Sequence, residues 1–223
     1  MNVEADGIDR SGGRIIRWPR AYDLMVKTMS LGRERRLRRQ LVDHGRVSAG
    51  EAVLDVGSGT GTLLRTVRDA VHDVGRLCGI EPSSEMIEHA RRLANDAGVT
   101  LELEQGFADR LPFPDQSFDV VFCSFVIHHL PPATTRAAFG EMRRVLRPGG
   151  RLVVADFKRG HGEPLGTRIH DAVGRLLHHR GGHGTVASFE RTALEEAGFD
   201  EVREGRLVMR SVGAWIGLVR EIE

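Results

Sequence analysis

The hydrophobic positions of this chain change their period along its length. Between residues 51 and 157, short apolar runs alternate with longer stretches whose apolar residues recur every three or four positions. The short runs predict β-strands and the longer stretches predict amphipathic helices. Strict alternation of the two is typical of a parallel sheet covered by helices. The pattern therefore predicts an α/β fold with a doubly wound sheet.

Five strands and three helices are predicted inside this region. The strands span 52–56, 76–81, 100–105, 118–124 and 151–157, and the helices span 61–71, 83–97 and 133–146. The Arg-Pro-Gly-Gly sequence at 147–150 predicts a helix end and a tight turn into the fifth strand. Further helices are predicted over 19–31, 34–42 and 189–197, and further strands over 201–208 and 214–220.

Length and composition limit the class of protein. The 223 residues predict a single domain over 14–223, preceded by a flexible polar tail over 1–13. With 32 Lys and Arg against 31 Asp and Glu, no overall positive field favours nucleic acid. Both cysteines lie inside apolar runs, and no run is long enough to span a membrane. We therefore expect a cytoplasmic protein with reduced thiols.

A glycine-rich segment follows the first predicted strand and ends at Gly61, and an acid, Glu81, lies 20 positions after that glycine. Gly57, Gly59 and Gly61 suit a tight turn that approaches a ligand closely, and the Glu81 carboxylate suits a ribose diol. Dinucleotide-binding loops place their third glycine one position later, and Asp55 would face the phosphates of such a ligand. A cationic nucleotide such as S-adenosylmethionine (SAM) therefore fits better than a nicotinamide cofactor.

Five segments in order resemble the motifs of class I SAM-dependent methyltransferases. They are 53–61, 79–83, 111–119, 127–130 and 146–150, within roughly residues 51 to 157. The resemblance implies a Rossmann-like sheet of about seven strands, mostly parallel with an antiparallel C-terminal strand, plus added N-terminal helices. It also implies SAM as the cofactor.

The resemblance assigns the glycine loop to the methionine and ribose parts of SAM and the segment after the second strand to adenine. The residues implied to bind the cofactor are Asp55, Gly57, Ser58, Gly59, Gly61, Glu81, Pro82, Met86, Phe107, Ala108 and Ser124. Phe107 departs from the family, because many relatives carry an acid there that accepts from the adenine amino group. Either Asp109 supplies that acceptor or the Phe107 ring forms a wall in its place.

Candidate catalytic residues follow the fourth and fifth strands, because ligands of open parallel sheets bind beyond the carboxyl ends of the strands. His129 is the first candidate, since imidazole titrates in the useful pH range; the alternative is a loop histidine bonded to backbone. His128 is expected to point into the fold or to cap the prolines at 131–132. Asp156 is expected to be structural, although it could orient an acceptor or bind a metal.

The N-terminal helices resemble the lid of the ubiquinone and menaquinone C-methyltransferases, on the sequences at 22–25 and 30–32. A lid over 14–47 would exclude water from the reacting methyl group. Tyr22 is the second catalytic candidate, with ordinary helix packing as the alternative. Five arginines follow, for which we predict a solvated helix face, with an anionic substrate or a membrane surface as the alternative. They are Arg33, Arg35, Arg36, Arg38 and Arg39.

The segment 158–187 is predicted to be a substrate-side insertion. It contains the histidines His161, His170, His178, His179 and His183. We predict no metal site there, because Gly181 and Gly182 interrupt the helical spacing of the last two histidines.

These features predict a SAM-dependent methyltransferase, monomeric or homodimeric, that acts on a small-molecule or lipid-like acceptor. Membrane contact is not expected, and neither is nucleic acid as a partner, since the chain has only two Trp and one Tyr. The alternative is a non-catalytic SAM-binding or scaffold protein on the same fold. Phe107 and the lack of an unambiguous base motivate that alternative.

Overall fold

The computed structural model describes residues 15–157, 186–209 and 212–220. Two helices come first, α1 (Pro19–Met29) and α2 (Glu34–Gly45). The next elements are β1 (Val53–Val56), α3 (Thr62–Ala70), β2 (Leu77–Glu81), α4 (Ser84–Asp96), β3 (Glu102–Gln105) and β4 (Phe118–Ser124). The last are a 3₁₀ helix (Ile127–His129), α5 (Pro132–Val145), β5 (Leu146–Phe157), α6 (Val186–Glu196), β6 (Asp200–Gly205) and β7 (Val212–Leu218).

The seven strands form one sheet in the order β3-β2-β1-β4-β5-β7-β6. Strands β1 to β5 pair in parallel, whereas β7 pairs antiparallel with both β5 and β6. The predicted fold, including the antiparallel C-terminal strand, is confirmed. The strand order reverses between β1 and β4, and such a reversal opens a crevice at the carboxyl ends of the strands.

The core lies on both faces of the sheet. Successive side chains of a strand point to opposite faces, so Leu54 and Val56 of β1 join one buried cluster while Val53 joins the other. All three side chains are fully buried. This burial explains why three of the four β1 residues are apolar, and it fixes the position of the loop that follows.

One local prediction needs correction, and one short element was not predicted. Strand β5 begins at Leu146, which pairs with Phe118, and the predicted tight turn at 147–150 is a bulge within that strand. Gly149 has a φ of 77°, which lets the chain bulge outward and rejoin the register at Arg151. The 3₁₀ helix at Ile127–His129 was not predicted, because three residues are too few for a periodic pattern.

Among the described residues, no helix combines the length and apolar character needed to cross a bilayer.

Candidate functional site

The glycine loop after β1 depends on glycine for two separate reasons. Gly57, Gly59 and Gly61 all have positive φ, at 74°, 53° and 68°, which L side chains rarely adopt. A Cβ atom on Gly57 would also overlap the side chain of Val126 from the segment after β4. The loop can therefore turn sharply at the crevice only with glycine at these positions.

Glu81, at the end of β2, is held rigidly beside this loop. Its Oε2 accepts a hydrogen bond from the Gly59 backbone N–H at 2.9 Å, and its Oε1 accepts from Ser83 N–H at 3.1 Å. Burial raises the pKa of Glu81 to about 7, although these two bonds oppose the rise. The carboxylate is thus fixed in place and keeps acceptor capacity for a ligand in the cleft.

Two buried polar atoms close to the loop have no protein partner, Asp55 Oδ1 and Ser58 Oγ. Buried polar groups are normally hydrogen-bonded, so this pair marks a place built for a ligand. Burial raises the pKa of Asp55 to about 7, with Arg38 opposing the rise and Glu81 adding to it. A buried acceptor of this kind suits a cationic amino group, such as the ammonium of SAM.

Asp55 makes the stability of the ligand-free protein depend on pH. Its pKa in the folded state, about 7, lies above the ordinary value of 3.8, so folded protein binds the proton more tightly than unfolded protein. The proton on Asp55 therefore stabilises the folded protein fully below pH 3.8, and this stabilisation is lost as the pH rises through about 7. We expect Asp55→Asn to reduce the loss of the free energy of unfolding between pH 5 and pH 8, measured by urea denaturation.

The matched control for this measurement is Asp43→Asn, which neutralises an exposed acid on α2. The control should leave the pH dependence of the free energy of unfolding close to that of the unchanged protein. A steep, unaltered pH dependence in Asp55→Asn would contradict the role given to Asp55.

Both N-terminal helices contribute side chains to the cleft. Tyr22 of α1 and Arg38 of α2 line a smaller pocket together with Asp55, Ser58 and Gly59. This pocket shares Tyr22 and Gly59 with the main cleft, and we call it the inner part of the cleft. Burial raises the pKa of the Tyr22 phenol above its usual range, so it stays a neutral donor. Arg38 Nε donates to Glu34 Oε1 at 2.9 Å and is largely shielded from solvent.

The prediction of a solvated arginine face on α2 is wrong for one of the five arginines. The four exposed ones are Arg33, Arg35, Arg36 and Arg39. The Arg38 side chain is only 13% exposed, and Arg38 lines the cleft together with Asp55. A cation is therefore available next to the buried carboxyl group.

Helix α1 is tied to the glycine loop through Asp23. Its Oδ1 accepts the hydroxyl hydrogen of the buried Thr60 at 2.8 Å, and its Oδ2 lies 3.3 Å from His89 Nε2 on α4. Arg65 Nη1 donates to the Thr60 carbonyl oxygen at 2.8 Å. Sequence reasoning did not assign Asp23, Thr60 or Arg38 to the site. The only sequence signals for the first two were their positions, since Asp23 follows Tyr22 and Thr60 lies between Gly59 and Gly61.

The structure brings most of the predicted cofactor residues together. The cleft lining includes Gly57, Gly59, Glu81, Pro82, Met86, Phe107, Ala108, Asp109 and Ser124, with Asp55 and Ser58 in its inner part. Gly61 lies elsewhere, because it is the N-cap residue of α3 and packs against Ala90 and Leu101.

The far wall of the cleft is mostly apolar and carries the first catalytic candidate. His129 lies in the 3₁₀ helix after β4, and it lines the cleft next to Leu130 and Thr134. The remaining apolar wall residues are Ile16, Phe125 and Val126. Phe125 has a φ of 60°, a strained conformation that occurs at functional sites when the surrounding fold enforces it.

His128 and Asp156 form a buried pair behind this wall. Asp156 is fully buried; its Oδ1 lies 2.7 Å from His128 Nδ1, and its Oδ2 accepts from the His128 backbone N–H at 3.0 Å. The His128 ring lies 3.8 Å from the His129 ring between centroids. His128 therefore points into the fold, the first of its two predicted placements, and does not cap the prolines. The pair supports the His129 ring from behind.

Within residues 15–157, 186–209 and 212–220, no group of three or more His, Cys, Asp or Glu side chains could hold a metal ion. The five histidines considered for a metal site lie outside the described residues.

Comparisons with known proteins agree with this geometry. Residues 53–150 match the family described as a methyltransferase domain. The ubiquinone/menaquinone biosynthesis C-methyltransferase UbiE of Hahella chejuensis is 38% identical over 140 residues, which are 62% of this chain and 55% of that protein. The demethylmenaquinone methyltransferase of Beutenbergia cavernae is 42% identical over 138 residues, or 62% of this chain and 54% of that protein. The chain thus spans about half the length of these curated relatives.

A solved structure supports the fold independently of sequence. A SAM-dependent methyltransferase from Aquifex aeolicus superposes with a TM-score of 0.62 at 22% identity, covering 88% of this chain and 97% of that chain. The cradle formed by Glu81, Gly59 and the unpartnered Asp55 oxygen fits SAM. Residues 53–150 thus match a methyltransferase domain, and the chain is similar in sequence to ubiquinone and menaquinone methyltransferases and in fold to a SAM-dependent methyltransferase.

Proposed function

We propose that this protein transfers the methyl group of SAM to a small, lipid-like acceptor of the quinone class. One observation carries the proposal: a single cleft joins the glycine loop and Glu81 to an apolar wall that ends at His129. The names of the quinone-methylating relatives support the acceptor class. A cleft that held only a nucleotide would not need the second, apolar half.

The residues around the loop would hold SAM by its three parts. Glu81 would accept hydrogen bonds from the ribose hydroxyls, while Pro82 and Met86 would pack against adenine. At the inner end, Asp55 would bind the ammonium and Arg38 the carboxylate, since each meets a charge of opposite sign there. When bound, SAM supplies a methyl group already activated by its sulfonium.

The apolar wall would hold the acceptor close to that methyl group and exclude water. Ile16, Phe125 and Leu130 offer an aromatic ring an apolar contact surface. His129 would take the proton from an acceptor hydroxyl, which makes the adjacent ring carbon more nucleophilic. The new bond from that carbon to the methyl group would replace the methyl–sulfur bond, with S-adenosylhomocysteine as the leaving group. The hydrogen on that carbon would then leave as a proton, which restores the aromatic ring. Alignment in a dry site provides most of the rate for such a displacement.

The N-terminal helices would close over the reacting groups. Tyr22 lines both parts of the cleft, and Asp23 anchors α1 to the loop at Thr60. These contacts support the prediction that 14–47 forms a lid on a single domain over 14–223. The segment 158–187 would complete the acceptor side. The cytoplasmic location and the monomeric or homodimeric state stay predictions.

The test of this function is to incubate the protein with SAM and a demethylated 1,4-naphthoquinol under reducing conditions. We expect a product heavier by one methyl group, detected by mass spectrometry, together with S-adenosylhomocysteine. The matched control is the same quinol already methylated at that carbon, which should give neither. SAM binding by calorimetry without transfer to naphthoquinols or benzoquinols would overturn the proposal and favour the non-catalytic alternative.

A further inference from the structure

The exposed large apolar side chains of the described residues are all on the N-terminal helical unit. They are Trp18, Leu24 and Leu31, which are 44%, 63% and 80% exposed. Leu24 lies on α1, Trp18 precedes that helix and Leu31 lies in the turn that follows it. Three large, exposed apolar groups within 14 positions of the chain are more than scattered surface exposure requires.

The same N-terminal helical unit is strongly basic. Residues 15–46 contain nine Lys and Arg against three Asp and Glu, in a chain whose formal net charge is only +1. The exposed cations are Arg17, Arg20, Lys27, Arg33, Arg35, Arg36 and Arg39. Together with Trp18, Leu24 and Leu31 they make up what we call the basic-apolar face.

The two acids between Arg17 and Arg39 do not neutralise that face. Asp23 is engaged with Thr60 and His89 on the cleft side of α1. Glu34 is engaged with Arg38, which lines the inner part of the cleft. The segment from Arg17 to Arg39 therefore has no fully exposed carboxylate to set against its exposed cations.

Leucine at position 31 destabilises the fold. It has a φ of 50°, in the left-handed region, which costs a leucine about 1 kcal/mol. A polar residue such as Asn tolerates that conformation better and would lose no packing at a site this exposed. Burial in the folded chain therefore does not account for an apolar side chain at this turn.

We propose that the basic-apolar face docks on the surface of an anionic lipid bilayer. Transfer of a leucine side chain from water into an apolar phase is favourable, and tryptophan favours the boundary between lipid and water. Arginines pair with anionic headgroups. Nucleic acid would satisfy the arginines but offers the leucines no such phase. The inward side of α1 carries Tyr22 of the cleft, so docking sets the cleft beside the bilayer. This inference does not depend on methyl transfer.

The test measures co-sedimentation of the full chain with vesicles of phosphatidylcholine containing about 30 mol per cent phosphatidylglycerol, and with phosphatidylcholine alone. We expect binding to the anionic vesicles and about tenfold weaker binding to the neutral ones. Trp18 is one of two tryptophans, and Trp215 is buried. The fluorescence of Trp18 should therefore shift to the blue on binding, and Trp18→Phe should remove the shift.

Two double variants separate the apolar and the charged contributions. Leu24→Gln with Leu31→Asn, and Arg35→Ala with Arg36→Ala, should each weaken binding to anionic vesicles about tenfold while the melting temperature is retained. The charge-matched control is Arg191→Ala with Arg203→Ala, two exposed arginines on α6 and β6. The control should bind as the unchanged protein does.

Three outcomes would overturn the inference. One is the absence of binding to either kind of vesicle, and another is equal loss of binding in the control variant. The third is binding to single-stranded oligonucleotides that falls with the Arg35 and Arg36 changes but not with the Leu24 and Leu31 changes. That third result would assign the face to nucleic acid.

Discussion

Glu81→Gln is expected to weaken SAM binding about 100-fold, measured by isothermal titration calorimetry. Each hydrogen bond to a charged acceptor contributes about 1.5–3 kcal/mol, so two ribose hydroxyls account for about 3 kcal/mol, or two powers of ten in affinity. The amide would also place an NH2 group against the backbone N–H of Gly59 or Ser83, where the carboxylate now accepts. Circular dichroism would show that the variant is folded.

The matched control is Glu85→Gln, which makes the same charge change at a partly exposed position in the first turn of α4. Its carboxylate accepts from the hydroxyls of Ser83 and Ser84 and does not line the cleft. SAM affinity should stay within about twofold of the unchanged value. Undiminished affinity in Glu81→Gln would remove Glu81 from the ribose site.

His129→Gln is expected to lower kcat for quinol methylation about 100-fold while leaving the Kd of SAM unchanged. General base catalysis contributes about 10²–10⁴-fold, and glutamine keeps a similar shape without accepting a proton. We expect kcat but not the Kd of SAM to change, because the two residues lie in different parts of the cleft. His129 lies on the apolar wall beyond β4, whereas Glu81 lies at the end of β2.

His72→Gln is the control for this variant, since His72 is an exposed histidine between α3 and β2. That connection enters β2 at its amino end, opposite the cleft. The control should leave both kcat and the Kd of SAM as they are. A normal kcat in His129→Gln would show that the acceptor loses its proton elsewhere, and the buried pair of His128 and Asp156 would then be the next group to test.

Much of the fold follows from local sequence pattern. The bounds of β4 agree with those predicted, and those of β1 and β2 differ by one residue at the start, because buried strands are compact apolar runs. The start of β5 was misplaced at 151, since the bulge depends on pairing with Phe118, a partner 28 positions away from Leu146. Pairing at that distance leaves no periodic trace in either segment.

Some residues of the candidate site could likewise be predicted from local sequence, and others could not. Gly57, Gly59 and Glu81 could be placed from sequence because backbone conformation and the strand-loop-helix order constrain them locally. The position of Arg38 in the cleft could not, since five arginines in seven positions look alike until α2 packs against the sheet. The link from Asp23 to Thr60 and the pair of His128 and Asp156 likewise join residues that are 37 and 28 positions apart.

The sequence by itself thus determined the α/β sheet, the glycine loop with Glu81, and the family, because each depends on short-range pattern and composition. The tertiary structure alone decided which arginine lines the cleft, which histidine is held by Asp156, and that two leucines of the basic N-terminal helical unit stay exposed. These depend on the direction of side chains after packing. That direction is set by contacts between distant segments, which local propensities do not encode.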